Sequence, residues 1–262
     1  MSEPLKNRIA VVTGASAGIG QAIARALAAQ GARVVVNARR QEPLGALVRE
    51  IGAARATAVA GDASDPTVIT RMLDEARARF GDEADLVVVN AGRGLNGSVL
   101  TSDTRQWEEM VRTNLLGAAH LIRQAAGRMA AMVPPDQTHL RGAWLARARD
   151  IVVIGSVVGR NVSPFSSMYG STKFAVHGLV EGARRELSPR GVRVTLVEPG
   201  FVVSEFQEVA GYDAGWFQGV LEKIGPALTP DDVARAVAFI AQQSAHVHVA
   251  DVLIRPTRQD YP

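Results

Sequence analysis

Seven short runs of β-forming apolar residues, separated by stretches of helical period, constrain this chain more than any single motif. The runs are Ile9 to Thr13, Arg33 to Asn37, Ala56 to Ala60, Leu86 to Asn90, Ile151 to Ser156, Val192 to Glu198 and Asp251 to Ile254. Between them lie amphipathic stretches such as Gln21 to Gln30, Leu44 to Ile51, Thr67 to Phe80, Thr104 to Met132 and Ser167 to Leu187. Strands that are apolar throughout have no solvent face, so their alternation with helices predicts a parallel sheet covered on both sides. Right-handed crossovers make this a doubly wound α/β sheet of Rossmann type, with its ligand crevice at the carboxyl ends of the strands. No repeat or linker breaks the pattern, and a single domain over all 262 residues is expected.

Composition removes several chemistries. Without cysteine there is no disulfide, no thiol nucleophile and no thiolate metal site. His177, His246 and His248 have no partners at ligand spacing, so no metal is expected. No apolar run approaches the roughly 18 residues of a membrane span. The chain reaches its first strand almost at once, with no signal-peptide core, and a cytosolic location is expected. Twenty-nine Lys and Arg are scattered among 26 Asp and Glu, with no basic run, so nucleic-acid binding is not expected.

The first turn, Thr13-Gly14-Ala15-Ser16-Ala17-Gly18-Ile19-Gly20, follows a strand and opens a helix. Its glycines would let the backbone approach a pyrophosphate, and the helix start would present unpaired N–H groups to it. The second strand ends at Asn37-Ala38-Arg39-Arg40. An acid there would bind a ribose 2′-hydroxyl, whereas an Arg accommodates a 2′-phosphate. With no acid at Asn37 or Ala38, NADP(H) is preferred and NAD(H) remains possible; surface arginines opening a helix are the plainer reading. Asp62 either receives an adenine amine or forms a turn, with Ser64 or Asp65 capping the next helix. Asn90-Ala91-Gly92 ends the fourth strand with small residues. Asn114 is a poor helix former inside a helical run; it has a functional role or is an exposed polar residue.

Ser156 follows the fifth strand, and Tyr169 and Lys173 lie four apart, on one helix face. A nearby ammonium would favour the phenolate of Tyr169, and the Ser156 hydroxyl could hold a substrate oxygen beside it. The chain has only three Tyr, and in an Arg-rich sequence a Lys here suggests that a compact point charge is wanted.

TGASAGIG, Asp62, Asn90-Ala91-Gly92, Asn114, Ser156, Tyr169-x-x-x-Lys173 and Pro199-Gly200 stand in the order and spacing of the one-domain short-chain dehydrogenase/reductases, which the whole chain resembles. The resemblance implies an alcohol–carbonyl oxidoreductase with Tyr169 as acid/base. Lys173 would lower the phenol's pKa and bind the nicotinamide ribose, Ser156 would steady the substrate oxygen, and Asn114 would hold a water in a relay to Lys173. Gly14, Ser16, Gly18, Ile19 and Gly20 would cradle the cofactor. Asp62 and Ala63 would lie at adenine, Asn90, Ala91 and Gly92 along its middle, and Pro199, Gly200, Val202 and Ser204 beside the nicotinamide. It also implies a homodimer or homotetramer, built through Thr104 to Met132 and Ser167 to Leu187. ARRQEPLGAL (38–47), VEPGFVVSEF (197–206), ALTPDDVARAV (227–237) and LIRPTRQ (253–259) look like the NADP-dependent branch of 3-hydroxy acid dehydrogenases and clavulanic acid-type aldehyde reductases. The rival class is a non-catalytic nucleotide-sensing module on the same fold, which predicts a lost catalytic Tyr or Lys.

Some segments depart from that pattern. Ala17 replaces a common basic residue, leaving a 2′-phosphate to Arg39 and Arg40. Arg93 meets an anionic substrate or is solvated. Residues 134–150 read as an insertion away from the active site, with Trp144, Leu140 and Leu145 as a contact patch or a folded-back loop. Residues 201–226, carrying Phe206, Tyr212, Trp216 and Phe217, resemble a substrate lid, though these aromatics could equally be core.

Overall fold

A computed structural model describes residues 3–133, 144–161 and 163–261. Its strands are β1 (Ile9–Thr13), β2 (Arg33–Ala38), β3 (Ala56–Ala60), β4 (Leu86–Val89), β5 (Asp150–Ile154), β6 (Arg193–Pro199) and β7 (Asp251–Ile254). They form one seven-stranded sheet in the order β3-β2-β1-β4-β5-β6-β7, every neighbouring pair parallel. The order reverses between β1 and β4, the switch point at which such sheets open a crevice.

The helices are α1 (Gly18–Ala29), α2 (Gln41–Ile51), α3 (Pro66–Phe80), α4 (Trp107–Val111), α5 (Ala118–Ala131), α6 (Ser167–Leu187), α7 (Phe206–Val209), α8 (Ala214–Ile224) and α9 (Pro230–Ala241). Alternate residues of β1 feed opposite cores, as the two-residue period of a strand requires. Ala10 and Val12 pack with Ile23 of α1, Leu44 and Leu47 of α2 and Val233 and Val237 of α9. Ile9 and Val11 pack with Ile69 of α3, Leu121 and Ile122 of α5 and Val176 and Val180 of α6. Both faces of the sheet are therefore dry, which explains why its strands read as unbroken apolar runs. β7 lies at one edge and is only half-buried.

Helix ends follow local chemistry. The Asp65 carboxylate accepts from the Thr67 backbone N–H at the start of α3, directly before Pro66. Thr229 and Asp232 form a reciprocal capping box on α9. The first two helices begin earlier than their apolar period suggests, at Gly18 and Gln41. β4 and β5 stop at Val89 and Ile154, so Asn90 and Ser156 lie beyond the ladder, in the loops that meet the crevice. The expected helix from Thr104 to Met132 is broken into a 3-10 turn (Thr104–Gln106), α4, a π-helical turn (Arg112–Gly117) and α5. The widened turn carries Asn114 and Gly117, both poor helix formers, and such bulges frequently mark functional sites. A Cβ on Gly117 would lie 3.1 Å from the Ser64 backbone, a tight approach that glycine relieves.

At the opposite, amino end of the sheet, Arg8 donates to Asp85 at 3.0 Å and Asp150 at 2.7 Å, and Arg193 grips Asp150 with two bonds of 2.6 and 2.8 Å. Both carboxylates are fully buried. This cluster ties β1, β4, β5 and β6 together away from the crevice. Of the inserted segment, residues 134–143, with Leu140, lie outside the described residues. Trp144 folds back onto Gly191, where a Cβ would fall 2.9 Å from its own, while Leu145 is exposed. Among the described residues no helix is long and apolar enough to cross a membrane.

Candidate active site

A cavity of about 430 Å³ opens at the carboxyl ends of the strands. α6 turns Tyr169 and Lys173 toward it, both buried. The Lys173 ammonium donates to the Ile154 carbonyl at 2.9 Å and lies 5.8 Å from the centre of the Tyr169 ring. Ser156 caps the short turn after β5, its hydroxyl accepting from the Val158 N–H at 3.3 Å, and it lies close enough to the phenol to favour its charged form.

The electrostatics correct one expectation. Burial pushes the Tyr169 phenol above its ordinary range, and the Ser156 hydroxyl opposes this without reversing it. Burial likewise pushes the Lys173 ammonium down, to about 8. Desolvation disfavours the charged form of each group, and it is the largest cause of both shifts.

Asn114 is 3 % exposed, so it is not a surface polar residue. Its amide donates to the Arg93 carbonyl at 2.9 Å and the Thr172 hydroxyl at 3.1 Å, and its oxygen accepts from the Arg93 N–H at 2.9 Å. Thr172 in turn donates to the Tyr169 carbonyl at 2.8 Å. The π-helical turn is thereby bonded to α6 beside the Tyr–Lys pair.

The loop from β1 to α1 forms the other wall. Gly14 and Gly18 have φ of +67° and +54°, which L side chains rarely adopt. A Cβ on Gly14 would meet the Asn90 amide, and one on Gly20 would run into the Gly14 carbonyl. The start of α1 has no side-chain cap and no acid in its first turn, while Gly18 and Ile19 face the cavity. Uncapped N–H groups aimed at a cavity suit a phosphate. Asn90 fastens the cradle, its amide donating to the Thr13 carbonyl at 2.9 Å. The backbone N–H groups of Asn90 and Ala91 share the Thr13 hydroxyl. A Cβ on Gly92 would lie 3.3 Å from the Asn114 amide oxygen.

Beyond β2, Arg40 donates to the Ser16 hydroxyl at 3.2 Å and to Glu205 at 2.9 Å, and Arg39 lies 3.5 Å from Glu109. Both arginines are exposed, and exposed pairs of this kind exchange partners at little cost. Asn37, where an acid would select NAD, is buried and spends its amide on the Val59 and Gly61 carbonyls. Asp62 realises the turn reading: one oxygen accepts from both the N–H and the hydroxyl of Ser64, and the other lies 3.6 Å from Arg112. Pro199 ends β6, and Gly200 leaves room for the Gln259 amide, which accepts from the Phe201 N–H at 2.9 Å. Val202 bridges to Leu228, and the Ser204 Cβ comes within 3.4 Å of where a Cβ on Gly18 would lie.

Of the residues singled out by sequence, the glycine loop contributes Gly14, Gly18 and Ile19 to the cavity, and the middle loops contribute Asn90, Ala91, Gly92 and Ser156. Tyr169, Lys173, Pro199, Gly200, Val202 and Ser204 complete that set. Ser16, Gly20, Arg39, Arg40, Asp62, Ala63 and Asn114 do not line it. Phe206, Tyr212 and Trp216 also line it, whereas Phe217 packs behind, its ring 6.3 Å from that of Phe201. Arg93 lines it too but is not solvated: Glu109 and Gln106 hold its guanidinium. The roles of Thr13, Thr172 and Gln259 were not readable in the sequence, since a hydroxyl at a strand end or inside a helix and a lone amide in a loop carry no pattern of their own. His177 fills the space beside Gly155 and Gly159, with Nδ1 3.5 Å from Glu198, and burial pushes it down to about 4. Among the described residues no cluster of His, Cys, Asp or Glu could hold a metal ion.

Comparison with known proteins agrees with this architecture. The short chain dehydrogenase family profile matches residues 8–213. An uncharacterised oxidoreductase of Staphylococcus saprophyticus is 32 % identical over 255 residues, covering 96 % of this chain and 98 % of that protein. One from Staphylococcus aureus is 30 % identical over 252 residues with the same coverage. A closed serine dehydrogenase complexed with NADP+ superposes with a TM-score of 0.84 at 31 % identity, covering 97 % of this chain and 96 % of that one. An alcohol dehydrogenase from the archaeon Thermococcus sibiricus, complexed with 5-hydroxy-NADP, gives 0.80 at 27 % identity, covering 97 % and 99 %.

Proposed function

The chain belongs to the short-chain dehydrogenase family and is a dehydrogenase/reductase, and on that premise we propose that it interconverts an alcohol and a carbonyl. The substrate would be a small hydroxy acid, aldehyde or ketone, with NADP(H) preferred and NAD(H) accepted. One observation carries the reading: the Tyr169 phenol, with Ser156 and Lys173 beside it, faces the same cavity as the uncapped start of α1.

When bound, the nicotinamide cofactor supplies or accepts the hydride. The start of α1, with Gly14, Gly18 and Ile19, would bind its pyrophosphate. Ser16, Arg39 and Arg40 would receive the 2′-phosphate, the arginines exchanging Glu109 and Glu205 for it. Asp62 and Ala63 would hold the adenine, Asn90 to Gly92 the middle of the cofactor, and Pro199, Gly200, Val202 and Ser204 its nicotinamide. Tyr169 gives its proton to the forming alkoxide, or takes one from the alcohol in the reverse direction, while Ser156 holds the same oxygen. Lys173 supplies the charge that makes the phenolate accessible, and Asn114 fixes α6 through Thr172. Support for the cofactor preference comes from the missing acid after β2 and from the NADP-type ligands of two relatives.

The 201–226 segment acts as the substrate lid, and the enzyme works in the cytosol as a homodimer or homotetramer. Leu116 and Phe174, exposed on the two helical regions expected to pair, suit that assembly. Following NADPH absorbance against aldehydes, keto acids and β-ketoesters, with hydroxy acids for the reverse reaction, tests the reading. Turnover faster with NADPH than with NADH is expected, and silence across the panel contradicts it.

A further inference from the structure

We propose that the substrate carries an apolar, ring-sized group beside its reacting carbon and no carboxylate. This rests on the oxidoreductase reading and narrows it. The cavity wall carries Val158, Phe206, Tyr212, Trp216 and Val220, of which Val158 and Phe206 pack against Tyr169. The Phe206 ring stands 5.6 Å from that of Tyr169, and Tyr212 stacks on Trp216 at 5.5 Å. Further out, Phe165, Val209 and Trp216 keep 64, 59 and 44 % of their surface exposed. Apolar surface concentrated on a cavity marks a place where a ligand displaces water.

The charges on the lining point the same way. Arg93 is held by Glu109 and Gln106, Glu205 by Arg40, and Lys223 faces Asp260 at 3.4 Å. Lys173 is buried against the Ile154 carbonyl. A carboxylate entering this space would shed its water and find each of these cations already partnered, a desolvation cost without repayment. Lys223, with 69 % of its side chain in water and an acid beside it, offers only a weak surface attraction.

The test uses three ketones of graded chemistry with saturating NADPH: benzylacetone, butanone (the same ketone without its ring) and 2-oxo-4-phenylbutanoate (its methyl replaced by carboxylate). Benzylacetone should exceed each of the others in kcat/KM by about tenfold or more. Trp216→Ala should shrink the advantage of the ring. Glu109→Gln, on a different element, should release Arg93 and raise turnover of the keto acid relative to benzylacetone. Turnover that favours the keto acid, or gives the ring no advantage, overturns this proposal and leaves the oxidoreductase reading standing. If none of the three turns over, calorimetric titration of the protein loaded with NADP+ decides. Tighter binding of benzylacetone upholds the ligand class while the oxidoreductase reading fails; tighter binding of the keto acid, or equal or absent binding, overturns the class.

Discussion

Lys173 holds its ammonium 5.8 Å from the centre of the Tyr169 ring, one helical turn away, while donating to the Ile154 carbonyl at 2.9 Å. Burial raises the phenol's pKa and lowers the ammonium's to about 8. Ordinarily almost level, the two groups are thus driven apart on the pH scale, each toward its neutral form. Replacing the charge by an apolar stem, Lys173→Met, removes the only part of this arrangement that favours phenolate from α6. Alcohol oxidation needs the phenol to lose its proton, so its rate should rise with pH, and in the variant that rise should move to higher pH. A pH–rate profile in the oxidation direction checks this, and an unmoved limb would remove the electrostatic role of Lys173.

Arg39 and Arg40 sit at the surface with exchangeable acidic partners. Arg39→Ala should weaken NADPH binding by about 1.5–3 kcal/mol, the range for a hydrogen bond to a charged group, and leave NADH almost untouched. Dissociation constants for both cofactors provide the check. Equal losses would mean that the 2′-phosphate lies elsewhere.

The buried carboxylates at the amino end of the sheet serve stability. Asp150 accepts from both Arg8 and Arg193. Asp150→Asn keeps the shape but leaves the buried Arg193 without its carboxylate and Arg8 with Asp85 alone, and should cost about 3 kcal/mol. Denaturant unfolding measures it; a change below about 1 kcal/mol would show that the cluster is solvated in solution.

His177 is held neutral, at about 4, chiefly by burial, with Lys173 and Arg160 adding to the effect. Once unfolded, the ring returns to about 6.5. Between these values the unfolded chain binds the extra proton, so stability falls as pH drops from about 6.5 to about 4, by at most about 3 kcal/mol. Below that window the loss is complete. His177→Asn should flatten the slope there, read as Tm against pH, whereas an unchanged slope would assign it to other groups.

The fold was legible because its determinants are local and repeated. A strand dry on both faces must be apolar along its middle, as β1, β2, β4 and β5 are, with their polar residues at the ends, while β6 also buries Thr195 and Glu198. The glycine loop and the Tyr169–Lys173 spacing were legible for the same reason, since backbone approach and helical geometry each demand fixed residue types. What the sequence concealed depends on partners distant along the chain. The bulge at Asn114 arises where that side chain reaches Arg93 and Thr172, and no helical period records it. Arg93 reads as a solvated residue until Glu109 and Gln106 fold against it. Burial around Tyr169 is a property of the packed cavity, so the balance between desolvation and charge was equally hidden.

The account depends on the Tyr169 hydroxyl exchanging a proton with the substrate oxygen. Tyr169→Phe removes that hydroxyl while keeping the ring against Phe206. Measured with NADPH and a carbonyl substrate the wild type reduces, kcat should fall by about 10²–10⁴-fold, with the dissociation constant for NADPH nearly unchanged. A variant that reduces the same substrate at close to the wild-type rate would contradict the account.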